Sequence, residues 1–319
     1  MRITGSQRRP SSRWRHVAVA LLAACACACG GGDDDQAPAP IAVLSAFPGE
    51  TASLLARASV SESVTINGRV FRLGTLAGVP VVLGFTGIGL GNAALTTRAL
   101  LERFPVAGVV VSGVAGSTLQ IGDVTVPAAW ELSDGTAYAA TQTWLDLAQQ
   151  LADSGAVTLD RCTLVPSVSM DPVCMLQQPA LVVGGVGRSS DPFNGQAFPC
   201  QPNGDDLYGC DVPSAKAASA SEVDQGKRAT LSPRTAAAAI VNDMETAAIA
   251  REAAARGVPF IAFRAVSDGG GDPLGLPALL AQFPVYYPFA AHNAAAATVA
   301  FLAHLGHGSG HAAGLPSGM

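Results

Sequence analysis

The sequence predicts an α/β fold, and three observations carry that prediction. Short apolar runs rich in β-branched residues, IAVLSA (41–46), VPVVLGF (79–85), GVVVSG (108–113) and PFIAFRAV (259–266), read as buried strands. Stretches of helical pattern separate them, and glycines stand at the turns between, as in GFTGIGLGN (84–92). The chain has 319 residues, of which 49% are hydrophobic and 13% charged, enough for one large core and too apolar for disorder. A formal net charge of −5, with no basic cluster in the body, excludes nucleic acid as a partner.

Residues 1–29 stand apart from the fold. Arg2, Arg8, Arg9, Arg13 and Arg15 precede a short apolar core, Val17 to Ala24. That is the pattern of an export signal, too short to span a bilayer. Leu22-Ala23-Ala24-Cys25 looks like a lipobox, with Cys25 the lipidated residue; Cys29 is the rival site, and a plain cleaved signal the alternative. The chain is therefore expected to be exported, periplasmic and anchored to the membrane only through lipid. Residues 30–40, GGGDDDQAPAP, form a flexible linker to a domain spanning 41–306.

Within that domain, 41–46 is the first strand. SVTINGRVFRL turns at Asn67-Gly68 between two strands, and VPVVLGF follows as another. Asn92 caps a helix to about Phe104, with Leu95, Leu100, Leu101 and Phe104 on its apolar side. Strands follow at 108–113 and 124–127, then a helix over 140–155. Residues 160–212, rich in turn formers, read as an insertion containing Cys162, Cys174, Cys200 and Cys210. An even number of cysteines in an exported chain suggests two disulfides. Sequence-near pairing is the simplest of three connectivities, and no metal is implied because no tight C-x-x-C pair or nearby His accompanies them. Asp243, Met244 and Glu245 open a helix stopped by Gly257. The strand after it ends at Ser267 and Asp268, where ligands of α/β sheets bind. A last helix, 289–305, ends at Gly306, leaving 307–319 as a loose tail.

The stretch VNDMETAAIA…VPFIAFRAVSD (241–268) resembles the nucleoside phosphorylase / methylthioadenosine–adenosylhomocysteine nucleosidase superfamily. IAVLSAFPGE (41–50) and GFTGIGLGNAAL…VVVSGVAGSTLQIGDVTVP (84–127) extend the resemblance over most of 41–305. It implies a phosphorylase-like three-layer fold with a central mixed sheet, and hydrolysis of the N-glycosidic bond of a purine nucleoside. It also implies no metal or organic cofactor, and a homo-oligomer, a dimer. By this resemblance Glu50 activates water, Asp268 delivers a proton to the departing purine, and Ser267 orients Asp268. Glu245 accepts the ribose hydroxyls, Met244 packs on the ribose, Thr86 positions ribose and water, and Arg264 lies near that water. Carboxylates suit both ends of the reaction, since water must lose a proton and the purine gain one. Asp243 stands where the family often has Glu and receives no role. The strip SASEVD (219–224) is assigned to the base, and FPVYYPF (283–289) to the 5′ side or to core.

Hydrolysis is favoured over phosphorolysis because Val111 stands where phosphorylases commonly carry an arginine, and no Arg follows the first strand before Arg57. A phosphorylase and a silent purine-binding protein are the alternatives.

Overall fold

In a computed structural model, residues 38–167, 169–213 and 240–311 are described. The export signal, Cys25, Cys29 and the strip 219–224 lie outside them. One large sheet has the order β2-β3-β4-β1-β5-β13-β12-β7-β8, with β14 beside β5 and β6. Its members are β1 (Ile41–Ser45), β2 (Ala58–Ile66), β3 (Arg69–Leu76), β4 (Val79–Phe85), β5 (Gly108–Gln120), β6 (Val124–Val126), β7 (Ala129–Glu131) and β8 (Ala137–Ala139). β11 (Leu181–Val183), β12 (Val186–Ser189), β13 (Ile240–Asp243) and β14 (Phe260–Gly270) complete it. β1 is parallel to β4 and β5, β14 is parallel to β5, and β13 is antiparallel to β5, so the sheet is mixed.

The period-2 alternation of strands sorts side chains into two cores. Ile41, Val43, Val110, Ile261 and Phe263 face one; Ala42, Leu44, Val109, Val111 and Ala262 face the other. The first core is covered by α1 (Pro48–Leu55), α3 (Gln142–Ser154) and α5 (Ala278–His311). The second is covered by α2 (Leu90–Arg103) and α4 (Thr246–Ala254). Helices on both faces of a mixed sheet make the expected three layers. Among the described residues no helix is long and apolar enough to cross a membrane.

Several boundaries differ from the sequence expectation. Asp243 ends β13 rather than opening a helix; α4 begins at Thr246, because the Asp243 carboxylate receives the backbone N–H of Thr246 and fixes the turn. Asn92 lies inside α2, whose N-cap is Gly89, and its side chain turns away to bond Phe198 and Arg69. Leu95 is exposed, while Leu100 and Phe104 are buried as expected, Leu101 is partly buried, and Ala93 and Ala94 join the buried face. The final helix runs through Gly306 to His311 and contains Pro284 and Pro288, so packing overrides three helix-weakening residues. Residues 160–212 are not one excursion, because β11 and β12 return to the main sheet within them. The cysteines pair as Cys162–Cys174, across the hairpin β9 (Cys162–Val165) and β10 (Ser169–Cys174), and as Cys200–Cys210.

At Gly84 in β4 a Cβ would lie 2.2 Å from the ring of the fully buried Phe71. Gly84→Ala should cost about 1–3 kcal/mol through overpacking. Urea denaturation should show a lower midpoint at unchanged slope, and an unmoved midpoint would contradict this packing.

Candidate active site

The candidate site is built on β5 and β14. Their parallel register sets Arg264 opposite Gly113 and Asp268 opposite Gly116, with irregularities around Asp268 that absorb the unequal spacing. Both glycines are required by what lies over them. A Cβ at Gly113 would fall 2.3 Å from Arg264 Nη1 and 2.4 Å from Glu50 Oε1, and one at Gly116 would fall 2.4 Å from Asp268 Oδ2. The S-G-V-A-G segment thus keeps a strand surface bare for charged side chains.

Arg264 is 1% exposed and gathers three carboxylates. Its Nη2 donates to Asp243 Oδ2 at 2.5 Å and to Glu245 Oε2 at 2.9 Å, and its Nη1 lies 3.5 Å from Glu50 Oε1. Each acid is also held by other donors. Pro48 starts α1 and places Glu50 in its first turn, where the carboxylate receives Ala46 N–H at 2.5 Å and Val114 N–H at 2.7 Å. Glu245 Oε1 receives the N–H of Gly89, in the glycine turn after β4, at 2.9 Å. Asp243 accepts from the hydroxyls of Ser189 and Thr246.

One cation cannot balance three buried acids. Burial raises the pKa of Glu50 against the opposing pull of Arg264 and two backbone N–H groups. Burial likewise pushes Glu245 up to about 7, opposed by Arg264 and reinforced by Asp243 and Glu50. Burial opposes the charge on Arg264, but Asp243, Glu50 and Glu245 outweigh it and raise its pKa. The cluster therefore holds a titratable proton near neutrality among groups that can accept or donate it.

Asp268 stands apart from this cluster. It is half-buried, its Oδ1 receives the Ser267 hydroxyl at 2.8 Å, and burial raises its pKa against that bond. Chemically the site offers a deep acid cluster around one cation and a separate, more accessible carboxyl.

Glu50, Glu245 and Arg264 are thus brought together, with Asp268 and Ser267 on the same two strands. Met244 is half-buried between Asp243 and Glu245. Thr86 is fully buried, with its hydroxyl given to the backbone carbonyl of Gly87 at 2.9 Å, so it meets none of the carboxylates directly. Sequence reasoning missed Asp243, Ser189 and Phe193. Asp243 had a signal: an Asp three residues before Thr246, a side-chain turn at a helix start. Ser189 and Phe193 fell in the stretch taken for an insertion. Phe193 packs at the glycine turn, 3.0 Å from where a Gly89 Cβ would be.

Fold and site define an α/β protein with its polar centre at the carboxyl ends of β1, β4 and β13, where such sheets bind ligands. The Phosphorylase superfamily model matches residues 40–303, and the chain belongs to that superfamily. An uncharacterized protein of Mycobacterium tuberculosis is 39% identical over 187 residues, covering 52% of this chain and 74% of that protein. A 5′-methylthioadenosine/S-adenosylhomocysteine nucleosidase of Bacillus thuringiensis is 39% identical over 89 residues, 27% of this chain and 38% of that one. Among solved structures, the corresponding nucleosidase of Helicobacter pylori aligns with a TM-score of 0.55 at 20% identity, covering 83% of this chain and 98% of that one. The futalosine hydrolase of the same organism aligns with a TM-score of 0.55 at 19% identity, covering 83% and 98%. These structural likenesses share the fold.

The raised pKa of Glu245 has a consequence for stability. Below its usual value of 4.5 both folded and unfolded chains hold the proton, and this contribution is fully present. As pH rises from there through about 7 the unfolded chain gives up its proton first, and the contribution is lost. Glu245→Gln removes the dependence. The melting temperature of the variant relative to wild type should therefore rise by several degrees between pH 4.5 and pH 8. A difference that does not change with pH would mean that Glu245 titrates normally.

Proposed function

We propose that the chain hydrolyses the N-glycosidic bond of purine nucleosides of the 5′-methylthioadenosine/S-adenosylhomocysteine type. The observation that carries this reading is the pair of separated acids: Glu50, buried beside Arg264, and Asp268, half-buried beside Ser267. Glu50 takes the proton of a water that adds to the anomeric carbon, while Arg264 Nη1 orients that water. Asp268 gives its proton to the departing purine, which leaves poorly as an anion. Its raised pKa favours the protonated form this needs. Glu245 accepts the ribose hydroxyls and stabilises positive charge developing on the sugar. Met244 lies against the ribose, Thr86 shapes the turn beneath it, and the Phe193 ring offers an aromatic face for the base.

Water is the proposed nucleophile because the guanidinium nearest Glu50 is already engaged by Asp243 and Glu245, leaving little charge to clamp phosphate. Structural neighbours support this substrate class: one nucleosidase structure holds adenine and another a methylthio-immucillin. The proposal includes export and a lipid anchor at Cys25, supported by two disulfides in a compartment that preserves them.

Purified mature protein should release free base and a 5′-substituted ribose from a nucleoside panel, at rates indifferent to phosphate. Asp268→Asn should lower kcat by roughly 10²–10⁴-fold while ligand affinity changes much less. A sugar 1-phosphate as main product would transfer the reading to a phosphorylase, and near-normal turnover of the variant would remove Asp268 from it.

A further inference from the structure

The segment Asp191–Val212 leaves β12 directly after Ser189 and is closed on itself by Cys200–Cys210. It is fastened to the rest of the fold at three places. On β3, Val70 N–H donates to Cys210 O at 3.2 Å and Arg72 pairs with Asp211 at 2.5 Å. At the glycine turn and α2, Phe198 N–H donates to Asn92 Oδ1 at 3.1 Å and the Phe193 ring packs on Gly89, whose own N–H holds Glu245. At α1 and α5, Asp206 O receives Gly49 N–H at 2.8 Å and the Asp206 carboxylate receives the Tyr287 hydroxyl at 3.1 Å.

Two of these fastenings exceed what a surface loop needs. Arg69 is 5% exposed and has no carboxylate partner among the described residues; its Nη2 donates to Phe198 O at 3.1 Å and to Asn92 Oδ1 at 3.3 Å. A buried guanidinium is costly, so its commitment to this segment is strong evidence that the segment stays in place. Gly49 N–H is an orphan donor of the first turn of α1, answered here by a carbonyl from a distant part of the chain. There is no room for a side chain at Gly49: a Cβ would lie 2.9 Å from the Tyr287 ring and 3.3 Å from Asp206 O. The next residue is Glu50.

We propose that Asp191–Val212 is a stapled cover on the turns that carry the carboxylate cluster, in which Asp206 is a positioning residue that fixes the first turn of α1 and hence Glu50. Cys200–Cys210 keeps Asp206 in register. The catalytic part rests on the reading of Glu50 as the base. By fixing that turn the cover keeps the Glu50 carboxylate, 1% exposed, on the N–H groups of Ala46 and Val114.

The test compares oxidised mature wild type with Cys200→Ser/Cys210→Ser and with Tyr287→Phe, which removes the Tyr287 hydroxyl's bond to Asp206 but leaves the disulfide intact. Hydrogen exchange at the amides of Gly49 to Thr51 should quicken by about 10-fold or more in both variants, with β14 unchanged. On a nucleoside that wild type cleaves, kcat should fall roughly 10- to 100-fold. The acid limb of its pH profile should move to lower pH as Glu50 becomes better hydrated, a shift that simple loss of folded protein does not produce. Unchanged exchange at Gly49, or unchanged kcat and acid limb in folded variants, overturns the proposal. Should the double cysteine variant fail to fold, Tyr287→Phe decides by the same readouts. If wild type cleaves no nucleoside, the proposed function falls, and exchange at Gly49 still decides whether the cover positions α1.

Discussion

Arg264 is the constraint around which the site is organised. A guanidinium buried to 1% exposure inside a sheet needs compensation, and it draws Asp243 and Glu245 from one part of the chain and Glu50 from another. That demand reaches into the fold. β5 must carry Gly113, because any side chain there would collide with both Arg264 and Glu50. β13 must end at Asp243, whose carboxylate ties Arg264, Ser189 and the start of α4 together. The glycine turn after β4 must present the Gly89 N–H to Glu245. Remove the cation, and three acids lose their common partner.

The surplus of acid over base in this cluster is what gives it chemical range. A balanced ion pair would be inert; an unbalanced one keeps a proton available near neutrality, as the shift of Glu245 to about 7 indicates. Asp268 is kept out of the cluster by its place further along β14. Burial raises its pKa, and the Ser267 hydroxyl opposes that rise. Two carboxyl environments on one sheet, one deep beside a cation and one shallower, are how a single fold can hold both a base and an acid.

Much of this was legible in the sequence because it depends on local pattern. Buried strands announced themselves as apolar runs, and Asn67-Gly68 as a tight turn, with both residues at positive φ. Glu50, Glu245, Arg264 and Asp268 stand within the segments that carry the family resemblance. What was not legible depends on long-range partners. Asn92 read as a cap, since nothing local reveals that Phe198 and Arg69 claim its side chain. Asp243 read as a helix opener, since the Ser189 that bonds it lies in a stretch that looked like an insertion. The last helix read as 289–305 with Gly306 as its end, but the faces of α5 packed on the first core carry the helix through Pro284, Pro288 and Gly306.

The central claim is that Arg264 holds Glu50 in a state able to act as a base. Arg264→Met removes the charge at similar volume, and the acid limb of kcat/KM, measured on a nucleoside the wild type cleaves, reads the result. Arg264 lowers the pKa of Glu50, so without it that pKa rises further. The acid limb should move by about one unit or more toward higher pH, with Arg264→Lys restoring part of the shift. An acid limb that stays where it is in folded Arg264→Met protein would contradict the account.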